Sequence, residues 1–141
     1  MNVDGVKNGI VIDHIKAGMS MSIYKLLSLD KLDCCVAVIQ NVESRKYGRK
    51  DIIKIDEEID IDMDVLGYLD PSITVNIVKS QKLYVKKHLE LPRELRNVVT
   101  CKNPRCITTV EPEADQVFRL VDRETKLYRC MYCEAKAKGG D

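Results

Sequence analysis

The sequence predicts an α+β chain: an N-terminal ferredoxin-like sandwich, with two helices on an antiparallel sheet, followed by a small β-rich zinc-binding domain. Three observations lead there. The apolar periodicities of residues 1–92 run in the order strand, helix, strand, strand, helix, strand, with one further strand. Cys101, Cys106, Cys130 and Cys133 then form two short hooks, C-x4-C and C-x2-C, separated by 23 residues. Between these regions Leu91, Pro92, Arg93 and Glu94 make a proline-marked break, which sets the expected domains at 1–92 and 93–141.

Residues 9–15 are β-branched and apolar, and read as the first strand. Ser20 or Ser22 is positioned to cap a helix, because Ile23, Leu26 and Leu27 recur at helical spacing before Asp30. Residues 34–42 have strand composition in Val36, Ala37, Val38 and Ile39. Cys34 and Cys35 at its start face opposite ways in such a strand and read as small packing residues. A turn through residues 44–48 leads to a strand with Lys50, Ile52, Ile53, Lys54 and Ile55. The acidic residues 57–70 put Ile59, Met63 and Leu66 at i, i+4 and i+7, the pattern of an amphipathic helix that stops at Asp70 and Pro71. Residues 73–78 and 82–89 read as the last two strands, and the tail from Ala135 is expected to fray.

Composition removes several functions. The 141 residues carry 23 Lys+Arg against 22 Asp+Glu, a net charge of +1, which argues against a nucleic-acid partner held by the phosphate backbone. The hydrophobic share of 45% argues against disorder. No apolar run approaches the roughly 18 residues of a membrane span, and Met1, Asn2, Val3, Asp4 and Gly5 lack the pattern of a signal peptide, so the expectation is a cytoplasmic protein without a membrane partner. A zinc-ribbon nucleic-acid module would need a basic, aromatic-rich face, whereas residues 93–141 offer only Phe118, Tyr128 and Tyr132. Phosphate-binding glycine loops, nucleophile elbows and zinc-protease patterns are missing, and Asp13 with His14, as strand neighbours, should point to opposite faces. No catalytic residues are therefore assigned.

Two groups carry chemistry. Each cysteine hook can give two thiolates to one ion, and a four-thiolate shell suits one structural Zn2+ with no open position for water. Iron of the rubredoxin kind is the rival metal, and free or disulfide-linked cysteines are the plain alternative. Lys102, Arg105 and Arg129 flank the hooks, where they offset the two negative charges left on the centre. Lys50 and Lys54, four apart on one strand, share a face about 13 Å apart. With Lys86 and Asn76 they can engage an anionic ligand, although lysines on strands also serve as solvated edges.

Specific segments then stand out: Gly9-Ile10-Val11-Ile12-Asp13-His14-Ile15, Tyr24-Lys25-Leu26-Leu27-Ser28-Leu29, Gly48-Arg49-Lys50-Asp51-Ile52-Ile53-Lys54-Ile55, Thr74-Val75-Asn76-Ile77, Cys101-Lys102-Asn103-Pro104-Arg105-Cys106-Ile107-Thr108 and Cys130-Met131-Tyr132-Cys133-Glu134. In this order they closely resemble the regulatory chain of aspartate carbamoyltransferase, over nearly the whole chain. The resemblance implies a non-catalytic subunit of pyrimidine biosynthesis, with an N-terminal allosteric domain and a C-terminal zinc domain that docks on a separate catalytic chain. It implies assemblies of two catalytic trimers joined by three regulatory dimers, inhibition by CTP and activation by ATP at a shared site, and UTP acting beside CTP in some members. By motif, Asp13, Lys50, Lys54, Asn76 and Lys86 match nucleotide-contacting positions, with His14 beside them. Val3, Asp4, Gly5 and Val6 align with a segment that contacts the base through main-chain groups.

Overall fold

A computed structural model describes residues 6–45 and 48–137. The chain divides into two compact units, Met1–Glu90 and Leu91–Asp141. In the first, β1 (Gly9–Lys16) is followed by α1 (Ser20–Leu26), a short 3-10 turn at Leu29–Lys31, β2 (Val36–Ser44), β3 (Gly48–Ile55), α2 (Met63–Leu69), β4 (Thr74–Lys79) and β5 (Lys82–His88). The sheet order is β2-β3-β1-β4-β5, and every neighbouring pair is antiparallel. This is the split βαβ sandwich, with β5 added outside β4.

Alternation along the strands gives the sheet two unlike faces. Ile10, Ile12, Ile53, Ile55 and Val75 pack with Ile23 of α1 and Leu66 of α2 to form the main core. The opposite face carries a smaller apolar group, Val6, Val11, Ile52 and Val78, and is here called the open face. Gly67 lets α2 approach the main chain at Glu90, because a Cβ there would run into the Glu90 carbonyl oxygen.

Bulges interrupt the ladders on both sides of β3. Between the pairs Ile12↔Ile53 and Ile15↔Asp51, Asp13 and His14 together face Ile52, and His14 takes φ 59°. Between Ile39↔Ile52 and Val42↔Lys50, Gln40 and Asn41 face Asp51, with Asn41 at φ 63°. Asp51 is wholly buried and accepts hydrogen bonds from the main-chain N–H groups of Gly18 (3.0 Å), Ser20 (3.2 Å) and Asn41 (2.9 Å). One carboxylate thus ties the turn after β1, the first turn of α1 and the β2 bulge to β3.

Several local expectations change. Ser20 is the first residue of α1, with no side-chain cap at Met19, because its amide is directed to Asp51. The acidic segment is helical only over Met63–Leu69. Asp62 takes the N-cap position and accepts from the Asp64 and Val65 N–H groups, which starts the helix there. Ahead of it Ile59 and Ile61 both pack against the core from a non-helical segment, so the apolar spacing there follows a period of two. β2 begins at Val36, leaving Cys34 and Cys35 in the preceding bend; Cys34 packs on the core but Cys35 is exposed.

The second unit is built from β6 (Glu94–Arg96), a short α3 (Ile107–Val110), β7 (Val117–Asp122) and β8 (Leu127–Cys130), with sheet order β6-β7-β8. Phe118 and Tyr128, each 1% exposed, fill its small core. The Tyr128 hydroxyl donates to the Pro92 carbonyl at 2.6 Å and Arg123 Nη1 to the Leu91 carbonyl at 3.0 Å, anchoring the start of the unit.

Burial works against the Asp51 charge, but hydrogen bonds from the Ser20 hydroxyl and from the Asn41, Ser20 and Gly18 N–H groups hold its carboxyl below the ordinary value of 3.8. The stabilisation it provides is therefore complete above about that pH and is lost as pH falls through the lower, folded-state value. Asp51→Asn is expected to cost about 1–3 kcal/mol at neutral pH by urea unfolding, with the gap from wild type narrowing below the ordinary carboxylate range. A gap that is the same at acid and neutral pH would contradict the assigned role.

Candidate functional site

On the open face, the sheet register gathers the side chains singled out from the sequence. Lys86 on β5 stands opposite Asn76 on β4, Asn76 opposite Val11 on β1, and Val11 opposite Lys54 on β3. That row places Lys54 and Lys86 on either side of Asn76, about 14 Å apart at their backbones by ordinary strand spacing. Lys82 and Lys87 are not in this row: Lys87 pairs with Val75 of the core face and Lys82 with Lys79 at the end of the ladder.

Next to the row, Asp13 pairs with Thr74 and lies fully buried. Lys50 Nζ is 2.9 Å from Asp13 Oδ1, and the His14 N–H donates to the same oxygen at 2.6 Å. The bulge changes the expectation for His14. Its Nδ1 lies 3.0 Å from Thr74 Oγ1, the residue paired with Asp13, so these neighbours serve one locality despite being adjacent in a strand.

Two buried acceptors on this face remain without a hydrogen-bond partner among the described residues, Asp13 Oδ2 and Asn76 Oδ1. The other end of the Asn76 amide donates to the Val11 carbonyl at 3.3 Å, which fixes its orientation. Buried polar atoms are normally satisfied, so two orphaned acceptors beside lysines describe a surface suited to a ligand with both hydrogen-bond donors and negative charge. Val6, 3% exposed, packs on Val11, Ile52 and Val78 beside them. The lead into β1 is fastened by Lys7 N–H to Asp56 Oδ1 (3.1 Å), Gln81 N–H to the Lys7 carbonyl (2.9 Å) and Ser80 N–H to Asn8 Oδ1 (3.1 Å). Val3, Asp4 and Gly5 lie outside the described residues.

In the second unit the sulfurs of Cys101, Cys106, Cys130 and Cys133 all lie within 4.8 Å of one another. Cys101 Sγ is 3.5 Å from Cys133 Sγ, and Cys106 Sγ 3.7 Å from Cys130 Sγ. A tetrahedral ion with metal–sulfur bonds of about 2.3 Å needs sulfur–sulfur separations of about 3.8 Å, so the four thiolates fit such an ion closely. The second hook closes through the Cys130 N–H to the Ala135 carbonyl and the Glu134 N–H to the Cys130 carbonyl, both 2.9 Å, with Glu134 at φ 64°.

The polar surroundings of the sulfurs differ. Burial pushes the Cys101 thiol up to about 12 and also raises Cys130. The Ala135 N–H and the Asn103 side chain bring Cys133 down to about 6. For Cys106 the Thr108 hydroxyl, 3.1 Å from Sγ, outweighs burial and lowers the thiol. A divalent cation held among them favours the thiolate at all four positions. Sequence reasoning passed over Thr108, Asn103, Thr74 and Asp51. Thr108 and Asn103 each follow a cysteine by two positions, a detectable signal, whereas the roles of Thr74 and Asp51 depend on strand register.

The two units define a class of protein, a ferredoxin-like sandwich joined to a four-cysteine domain. Comparison with known families places it further. Residues 1–90 match the aspartate carbamoyltransferase regulatory chain allosteric domain, and residues 93–141 match the metal-binding domain of the same chain. An aspartate carbamoyltransferase regulatory chain from Clostridium botulinum is 48% identical over 141 residues, spanning 100% of this chain and 97% of the relative. Those of Clostridium tetani (49% identical, 95% of this chain and 94% of the relative) and Bifidobacterium longum (45%, 98% and 99%) are similar. The chain belongs to the family of aspartate carbamoyltransferase regulatory chains. Among the described residues, no helix is long and apolar enough to cross a membrane.

Because Asp13 is buried and Lys50 only slightly exposed, removing the lysine alone leaves a carboxylate without its cation. Lys50→Met is expected to destabilise the chain by about 3 kcal/mol in urea unfolding, and the double change Asp13→Asn with Lys50→Met to recover most of that loss. Equal destabilisation by the single and double changes would contradict this account of the pair.

Proposed function

We propose that this chain is the nucleotide-responsive subunit of an aspartate carbamoyltransferase, taking CTP as inhibitor and ATP as activator on the open face of its sheet. The observation that carries the reading is the convergence on one face of Asp13, Lys50, Lys54, Asn76 and Lys86, with two buried acceptors lacking partners among the described residues. Nucleotides supply what that face needs. Amino and hydroxyl donors suit Asp13 Oδ2 and Asn76 Oδ1, and phosphates suit the lysines on either side. The family resemblance adds His14 beside these residues and Val3, Asp4, Gly5 and Val6 as the segment for main-chain contact with the base, with UTP joining CTP as a further ligand.

In this reading residues 1–92 act as the allosteric domain and residues 93–141 as the docking domain, working in the cytoplasm. The four cysteines hold one structural Zn2+. Its folding contribution matters because so short a segment buries little surface of its own. Exposed apolar side chains cluster along the chain around the hooks, Ile107 and Val110 on α3 and Met131 and Tyr132 between Cys130 and Cys133, which supports docking of this unit on a catalytic chain. Two catalytic trimers and three regulatory dimers make the expected assembly. Each nucleotide acts by binding more tightly to one of two quaternary states, a coupling free energy that is reciprocal between sites.

Lys54→Ala and Lys86→Ala should each weaken CTP and ATP by roughly ten- to a hundredfold in calorimetric titrations, the loss of one charge-assisted contact, with zinc content unchanged. Titrations identical to wild type in both variants would defeat the nucleotide assignment. Cys130→Ser should lose the metal and fail to co-purify with a catalytic trimer; normal co-purification would defeat the docking role of the metal domain.

A further inference from the structure

The Thr108 side chain is 5% exposed and its hydroxyl donates to Cys106 Sγ at 3.1 Å. Thr108 sits in the first turn of α3, directly after the first cysteine hook. Cys106 is itself 1% exposed, so no solvent stands ready to replace that donor. Four thiolates around a divalent cation leave two negative charges in a small buried volume, and donors aimed at the sulfurs are what spread that charge. Main-chain N–H groups can do this for any sequence, whereas a hydroxyl donor is specified by the residue type.

We propose that Thr108 is a positioning residue of the metal centre, its hydroxyl holding the Cys106 thiolate in place and limiting its electron donation to the ion. The inference rests on reading the four cysteines as a metal site. The hydroxyl, and not the methyl group, carries the effect. Valine keeps the shape of threonine without the donor, and serine keeps the donor without the methyl. In Thr108→Val the Cys106 sulfur has one donor fewer to fix its position, so the ion is held less firmly and released more readily.

The test uses the full-length chain as wild type, Thr108→Val and Thr108→Ser. Zinc transfer to a competing chelator is measured together with the thiolate-to-metal charge-transfer band of the Co(II)-substituted proteins. Thr108→Val is expected to lose about 10- to 100-fold in metal affinity, the usual effect of removing an outer-shell partner, and to move the cobalt band to longer wavelength. Thr108→Ser should match wild type in both readouts. If Thr108→Val folds too poorly to hold metal, a wild-type-like Thr108→Ser still supports the hydroxyl, and a Thr108→Ser as impaired as the valine variant overturns it. Wild-type retention and an unchanged band in Thr108→Val also overturn it. Wild-type chain that binds neither zinc nor cobalt would overturn the metal reading itself, and this inference with it, a result distinct from either variant outcome.

Discussion

Asp13 is fully shielded from water, and a carboxylate in that position requires compensation from close by. It comes from Lys50 Nζ at 2.9 Å and the His14 N–H at 2.6 Å, both on the same oxygen. The bulge that sets Asp13 and His14 opposite a single residue of β3 makes this arrangement possible, because it brings the His14 amide back toward the carboxylate. Much of the open face follows from that pairing. Lys50 is committed to Asp13, the second Asp13 oxygen is left unengaged among the described residues, and the adjacent row of Lys54, Asn76 and Lys86 lies in register with it.

A second buried carboxylate, Asp51, performs the complementary task on the helix side of β3. Lys50 and Asp51 are consecutive and face opposite ways, so one short segment supports the open face and fastens α1 and β2 behind it. Changes in the position of Lys50 are thereby linked through one peptide to the turn after β1 and to the β2 bulge. The four-cysteine cluster poses a charge problem of the same sign: thiolates there would be balanced by a bound cation and by surrounding donors, including the Thr108 hydroxyl.

The fold class was readable because strand and helix periods in the first 90 residues are strong, and because C-x4-C and C-x2-C is a spacing with few alternatives. The four-cysteine cluster was readable for the same reason, since each hook holds its own two sulfurs close and only the meeting of the hooks depends on the fold. Other features depend on contacts remote in sequence. The acidic segment has helical spacing at Ile59, Met63 and Leu66, yet Asp62 caps a shorter helix and Ile59 and Ile61 pack from outside it. The Asp13–His14 bulge carries no glycine to announce it, so simple alternation assigned the pair to opposite faces. Thr74 and Asp51 acquire their roles only once β4 and β2 are placed beside their partners, 60 residues from His14 in one case and 10 from Asn41 in the other.

If the open face of the sheet receives the effector of this regulatory chain, nucleotide binding must register on its residues. Amide and side-chain NMR of the labelled chain, titrated with CTP, tests it most directly. Shifts are expected mainly at Val11, Asp13, His14, Lys50, Lys54, Asn76 and Lys86, with smaller changes at Gly18, Ser20 and Asn41 through Asp51. Saturable shifts centred instead on the four-cysteine unit or on the outer surfaces of α1 and α2, with the open face unchanged, would contradict it.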